Sequence, residues 1–349
     1  MSTSDAKRLD AAVTKALAAS DEQTPGAWVG VWSPTLGVRV KAYGDASASG
    51  RTARVRDHNF IGSVTKTVTA TAVLQQVATG RMTLTDTVAE VDPVLAARFP
   101  AIAGITVDQL LGMRSGLPDY ANEPAGVLRL ITADPRRSFT PRQLIESGLA
   151  ASTISPPGTP GYSTTNYIIL GELLKKVTGR SPSAVLNGVF RQAGMTQSAL
   201  PGPGRPAPRP RSNGYIGPSS AAELAGLGGP AIPAGTDVTD WNLSWGRAGG
   251  GAYSTVRDLG RWGSLGLGTA LLPKRLGDRR IAAASQNPLG YGLGLFVEPG
   301  GWISHTGQVI GWESSVEQNT RTGEVVVVMV NSTSGLTDIT TAVETFLGR

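Results

Sequence analysis

Strand-like segments occupy both ends of this 349-residue chain and helix-like segments fill its middle, so a compact fold must close one sheet from two distant stretches of sequence. Near the N-terminus, residues 8 to 19 place Leu9, Val13 and Leu17 on one helical face. A hairpin pattern follows, Trp28 to Trp32 and Val38 to Tyr43 around the turn Pro34 to Gly37. The last third reads as strands at Gly292 to Glu298, Trp312 to Gln318 and Glu324 to Asn331, with a turn at Asn319 to Gly323 and a closing helix over about 338 to 347. Between these ends the signals are helical. Thr106 with Gln109 spells one capping box, and Thr140, Pro141 and Gln143 spell another. A further helix spans about Asn166 to Val177 and stops at Gly179, a loop runs from Pro201 to Pro210, and Gly249-Gly250-Gly251 precedes a helix starting near Ser254. The expectation is an α+β fold, an antiparallel sheet flanked by helices with an all-α insertion. Residues 1–65 and 240–349 would make the sheet domain and 66–239 the helical one, with the active-site groove between them.

Within this frame, Ser63-Val64-Thr65-Lys66 puts a hydroxyl and an amine three residues apart at the mouth of a helix. Positions i and i+3 share a helix face, and the orphan N–H groups of a helix start favour a developing anion. That is the pattern of a nucleophile activated by a base. The stretch Thr67 to Gly80 supports the placement, with Val68, Ala72 and Val73 as a helical stripe and Gly80 as a stop. The spacing alone is weak evidence, because Ser4-Asp5-Ala6-Lys7 repeats it in a polar leader expected to lie on the surface before the first helix.

Ser63 has company downstream. Tyr162-Ser163-Thr164 follows a turn at Pro156, Pro157 and Gly158, and His305-Thr306-Gly307 precedes a Trp-containing strand. The order Ser-Lys, Tyr, His-Thr-Gly resembles the serine β-lactamase and penicillin-recognising DD-peptidase family, above all its branch of class C β-lactamases, D-alanyl-D-alanine carboxypeptidases and esterases. Phe60 to Lys66, Leu110-Leu111 with Arg114 to Leu117, Asn166 to Gly171 and Tyr291 to Leu295 carry the same likeness over most of the chain.

The resemblance implies the roles. Ser63 would attack an acyl carbonyl and form an acyl-enzyme, Lys66 would take its proton, and the Tyr162 phenol would assist proton transfer to the leaving group and from the incoming nucleophile. His305 takes a position that is often lysine in β-lactamases and histidine in carboxypeptidases and esterases. Thr306 and Gly307 would present backbone and hydroxyl groups from an edge strand, and the oxyanion would be held by the N–H of Ser63 and of a strand residue past Gly307, taken as Val309. Two departures bear on the substrate. Thr164 stands where the family usually has an asparagine whose amide touches the substrate, with Asn166 two positions further on. Phe296 and Gln308 stand where the carboxypeptidase branch grips a terminal carboxylate with arginine and threonine. His58 lies in a polar turn expected to be solvated.

Composition removes several classes. With no cysteine there is no disulfide, thiol nucleophile or thiolate metal site, and His58 and His305 alone cannot build a usual zinc centre, so neither a metal nor any other cofactor is expected. No G-x-S-x-G elbow suggests an α/β-hydrolase. A net charge of +6 comes from scattered arginines, with no basic stripe interleaved with aromatics, which argues against nucleic acid. No apolar h-region or membrane-length run appears, so the protein is expected in the cytoplasm, or secreted if a signal peptide has been removed. The favoured reading is a stand-alone penicillin-binding-protein-type thioesterase that releases or macrocyclises a nonribosomal peptide with a D-configured acyl residue, delivered as a peptidyl ester or thioester, with an acidic carrier protein as a candidate partner. The alternatives are a D-alanyl-D-alanine carboxypeptidase, a β-lactamase and a carboxylesterase or D-amino-acid amidase, all open to covalent inhibition by a β-lactam or a fluorophosphonate.

Overall fold

The structure, a computed structural model, describes residues 1–20, 23–121, 126–150, 154–226 and 230–349. Nine strands are present among them: β1 (Gly26–Ser33), β2 (Gly37–Ser47), β3 (Arg51–Thr52), β4 (Asn59–Phe60), β5 (Tyr253–Ser254), β6 (Phe296–Glu298), β7 (Trp302–Val309), β8 (Trp312–Asn319) and β9 (Val325–Val330). Seven form one sheet in the order β3-β2-β1-β9-β8-β7-β6, while β4 pairs with β5 alone. The join between chain ends is antiparallel β1 against β9, with Val29 opposite Val328 and Val31 opposite Val326.

Both faces of the sheet are covered. Helices Thr3–Ala19 and Leu336–Leu347 bury Leu9, Val13, Ile339 and Val343 against one face. On the other face lies the helix Val256–Ser264, whose Trp262 is fully buried, and beyond it the central helix Thr65–Ala78. This explains why β9 reads as an uninterrupted apolar run, since a strand covered on both sides has no polar face to show.

The central helix departs from the expected stripe, because every residue from Thr65 to Leu74 is buried. Its many threonines are poor helix formers that tertiary bonding satisfies. Thr67 Oγ1 donates to the Val64 carbonyl and accepts from Trp262 Nε1, and Thr69 Oγ1 donates to the Ala248 carbonyl. The first helix begins at Thr3, capped by the Ser2 hydroxyl, so Ser4 and Lys7 lie on its exposed face rather than in a leader before it. The strand expected over Gly292 to Glu298 contracts to Phe296–Glu298, because Gly294 adopts a left-handed φ of 85° where a Cβ would stand 2.2 Å from Ala70 Cβ. Both capping boxes form. Among the described residues no helix is long and apolar enough to cross a membrane.

A buried cation ties the central helix to the final third of the chain. Arg280, with no exposed surface, donates to the carbonyls of Leu293, Leu267 and Thr67 and to Thr71 Oγ1 at 2.9 to 3.1 Å. Arg280→Met leaves these acceptors without their donors and should lower unfolding free energy by about 3 kcal/mol or more. Urea denaturation checks this, and a loss below about 1 kcal/mol would contradict it.

Candidate active site

Ser63 sits in a short 3₁₀ turn, Gly62–Val64, that leads directly into the central helix. The turn packs against β7. Gly62 has a φ of 48°, and a Cβ there would stand 2.5 Å from the Gln308 backbone nitrogen; a Cβ on Gly307 would stand 2.0 Å from the Ile61 carbonyl oxygen. Two glycines, one on each side, allow nucleophile turn and strand to meet backbone to backbone.

One turn into the helix, Lys66 is completely buried. Its Nζ donates to Ser63 Oγ at 2.8 Å, to the Gly249 carbonyl at 2.8 Å and to Thr164 Oγ1 at 3.3 Å. Burial pulls the amine down to about 7, against the opposing pull of the Asp119 carboxylate. All three direct partners are neutral oxygens, so an amine at this place can exist unprotonated near neutral pH and accept the Ser63 proton. Tyr162 closes the other side. Its phenol hydrogen-bonds with Ser63, its ring centroid lies 5.0 Å from Lys66 Nζ, and burial pushes its ionisation far above the ordinary value. It therefore stays a proton donor at any working pH.

Asp119, absent from the sequence reading, is the carboxylate of the site. It is 8% exposed, accepts from the Ala121 N–H at 3.1 Å and from Thr164 Oγ1 at 3.2 Å, and burial raises its pKa. Thr164 thus bridges Asp119 and Lys66. Asn166 does not replace the missing asparagine: two residues on, it faces away and accepts from Ser115 Oγ at 2.6 Å.

The register of β7 corrects the choice of Val309 as oxyanion donor. Val309 pairs with Trp312 across the two-residue turn Ile310-Gly311, a closing pair whose N–H groups are used in the ladder, and the bond from Thr320 N to the Gly301 carbonyl fixes the same alternation. The N–H of Gln308 consequently points off the strand edge, which β6 covers only at Trp302–Ser304. It lies beside Gly62 and is the strand donor available to pair with the N–H of Ser63.

His305 also differs from expectation. It is 1% exposed, with Nδ1 2.5 Å from the Thr306 carbonyl oxygen and Nε2 3.0 Å from the Tyr291 hydroxyl, and burial drops it to about 3, so it is neutral. Both nitrogens are engaged away from Ser63. Its ring packs among Tyr162, Tyr291 and Phe296. His58 is buried rather than solvated, with Nδ1 2.8 Å from the Pro210 carbonyl oxygen.

A cavity of about 260 Å³ opens over Ser63, lined by Tyr162, Thr164, Phe296, Thr306, Gln308 and Val309 among others. Phe296 lies parallel to Tyr162, ring centroids 6.5 Å apart, and the Gln308 side chain donates to the Thr333 carbonyl at 3.1 Å. Leu128, Ile216, Leu224 and Trp245 form an apolar wall that no motif announced.

The sequence model of the Beta-lactamase family matches residues 9–344. This chain belongs to that family. Over 274 residues it is 23% identical to a putative penicillin-binding protein PbpX of Bacillus subtilis, covering 78% of this chain but 61% of the relative. A D-stereospecific amidohydrolase from Streptomyces sp. is 28% identical with a TM-score of 0.76, covering 93% of this chain and 94% of that one. The D-amino acid amidase of Ochrobactrum anthropi SV3 is 21% identical with a TM-score of 0.82, each chain covered to 98%, a likeness of fold. The chain thus belongs to a family of serine hydrolases and has penicillin-binding and amidohydrolase proteins among its relatives.

With an amine near 7 beside the nucleophile, kcat/KM should rise as pH increases through about 7 and level off above it, since protonated Lys66 cannot accept the Ser63 proton. A rate profile from pH 5 to 9 checks this; a flat profile would contradict it. Gly307→Ala should abolish acylation of Ser63 by forcing turn and strand apart, and unchanged labelling would refute the contact.

Proposed function

We propose that this chain is a serine acyl-enzyme hydrolase or acyltransferase acting on D-configured acyl donors that are joined to their leaving group by an amide, ester or thioester and carry no carboxylate beyond the scissile bond. One observation carries the reading: among the described residues, the cavity over Ser63 is lined by no lysine or arginine, while Asp119 and Glu223 both face it. A terminal carboxylate would enter against two acids with no cation to receive it. Gln308 and Phe296, which stand where a carboxylate grip is expected, are committed to Thr333 and Tyr162. The 28% identical D-stereospecific amidohydrolase supports a D-configured donor.

In this mechanism Ser63 Oγ attacks the carbonyl carbon while Lys66 Nζ takes its proton, and the N–H groups of Ser63 and Gln308 hold the oxyanion. The leaving group receives a proton through Tyr162, and water or an amine then resolves the acyl-enzyme by the reverse transfer.

A macrocyclising or releasing thioesterase is the second reading. The wall of Leu128, Ile216, Leu224 and Trp245 suits a long peptidyl chain, and the +6 charge suits an acidic carrier protein. Lys66→Ala and Tyr162→Phe should each lower kcat by roughly 100-fold with the fold retained. D-aminoacyl amides, esters and peptidyl thioesters should be processed far faster than a D-alanyl-D-alanine peptide, with mass spectrometry of products separating linear acid from cyclic peptide. Efficient release of free D-alanine would make the carboxypeptidase reading right.

A further inference from the structure

Asp119 is a carboxylate placed in the catalytic cavity by the fold rather than by any motif. It lines the space over Ser63, stands two hydrogen bonds from Lys66 through Thr164, and shares that space with the apolar wall of Leu128, Leu224 and Trp245. A second acid, Glu223, sits on the exposed side of the helix Pro218–Gly226 at the same cavity. With no lysine or arginine on the described lining, this interior attracts cations and repels anions.

We propose that Asp119 anchors a primary ammonium group carried by the acyl donor next to its scissile carbonyl, and that the ammonium so bound helps Lys66 to act as the base. The proposal rests on the serine acyl-transfer reading above and names the donor class more closely: aminoacyl compounds with a free amine. The positions suit it. An α-ammonium lies two bonds from the carbonyl carbon that Ser63 attacks, so with that carbon at Ser63 the ammonium falls within the small cavity that Asp119 lines.

The effect on Lys66 follows from who else faces it. Ser63, Thr164 and the Gly249 carbonyl bond its Nζ; the Tyr162 and Tyr167 rings lie 5.0 and 5.7 Å away; His305 is buried and neutral. Asp119 is the carboxylate that supports the charged amine. An ammonium arriving at Asp119 competes for that support and adds like charge nearby, so the Lys66 proton leaves more readily once such a donor is bound. The proton goes to solvent, and the neutral amine then receives the Ser63 proton as acylation begins. A donor whose amine is acylated brings neither the contact nor this effect.

The test compares D-phenylalanine p-nitroanilide with its N-acetyl derivative on the full chain, with stoichiometric fluorophosphonate labelling of Ser63 run on the same preparations. Wild type should favour the free amine by roughly 30-fold or more in kcat/KM, the scale of a charge-assisted hydrogen bond. The acidic limb of kcat should also lie at lower pH for the free amine than for the acetylated donor. Asp119→Asn should bring the ratio to within about threefold of one, and Asp119→Glu should keep part of the preference by retaining a displaced charge. Equal turnover of the two donors by wild type, preference for the acetylated donor, or a preference that survives in an Asp119→Asn protein still labelled at Ser63 would each overturn the proposal. Failure of wild type to label at Ser63 would instead overturn the serine acyl-transfer reading on which it rests.

Discussion

The proposed chemistry depends on one buried lysine with neutral oxygens for direct partners. An ammonium fully removed from water is costly unless countered, and the cost is reduced when the proton leaves. Ser63 Oγ, Thr164 Oγ1 and the Gly249 carbonyl satisfy Lys66 without fixing its charge, while Asp119, behind Thr164, keeps the protonated form within reach. The amine is thereby poised near 7, where a base for a serine hydroxyl is most useful. The three partners come from the nucleophile turn, from the helix Thr164–Thr178 and from the short helix Arg247–Gly250, so the base exists only when distant stretches of chain are assembled.

The proposed nucleophile depends on a second close approach. The Gly62–Val64 turn and β7 meet without side chains between them, which brings the backbone of Gln308 and that of the Ser63 turn together. Behind that strand, His305, Tyr291 and Phe296 brace the Tyr162 ring. Rigid backbone and packed aromatics thus hold a site whose hydroxyl-bearing groups need little rearrangement before attack.

Much of this was legible because side chains with distinctive chemistry stood at telling intervals. Strand patterns at both chain ends led to the fold, and Ser63 and Lys66 at helical spacing, with Tyr162 after its turn, led to three side chains that the structure brings together in the candidate site. The same spacing at Ser4 and Lys7 shows its limit, for on an exposed helix face nothing buries the amine. Asp119 could not be found this way, since it meets Thr164 across 45 positions and belongs to no periodic pattern. The Gly249 carbonyl has no side chain to announce it. Gln308 was displaced by Val309 because strand alternation is set by the two-residue turn Ile310-Gly311, which spacing from Gly307 does not reveal. The central helix was expected to show one apolar stripe, yet its threonine hydroxyls are spent on backbone, Trp262 and Arg280, which lets the helix from Thr65 to Leu74 enter the core.

The claim that a buried, uncharged-capable Lys66 drives the chemistry is tested most directly by titrating that amine itself. Carbon-13 NMR of lysine-labelled protein, with the Lys66 Cε signal assigned by its loss in Lys66→Ala, reports its protonation without any substrate. The account predicts a midpoint near 7, several pH units below the surface lysines. A Lys66 signal that titrates with the surface lysines above pH 10 would contradict it.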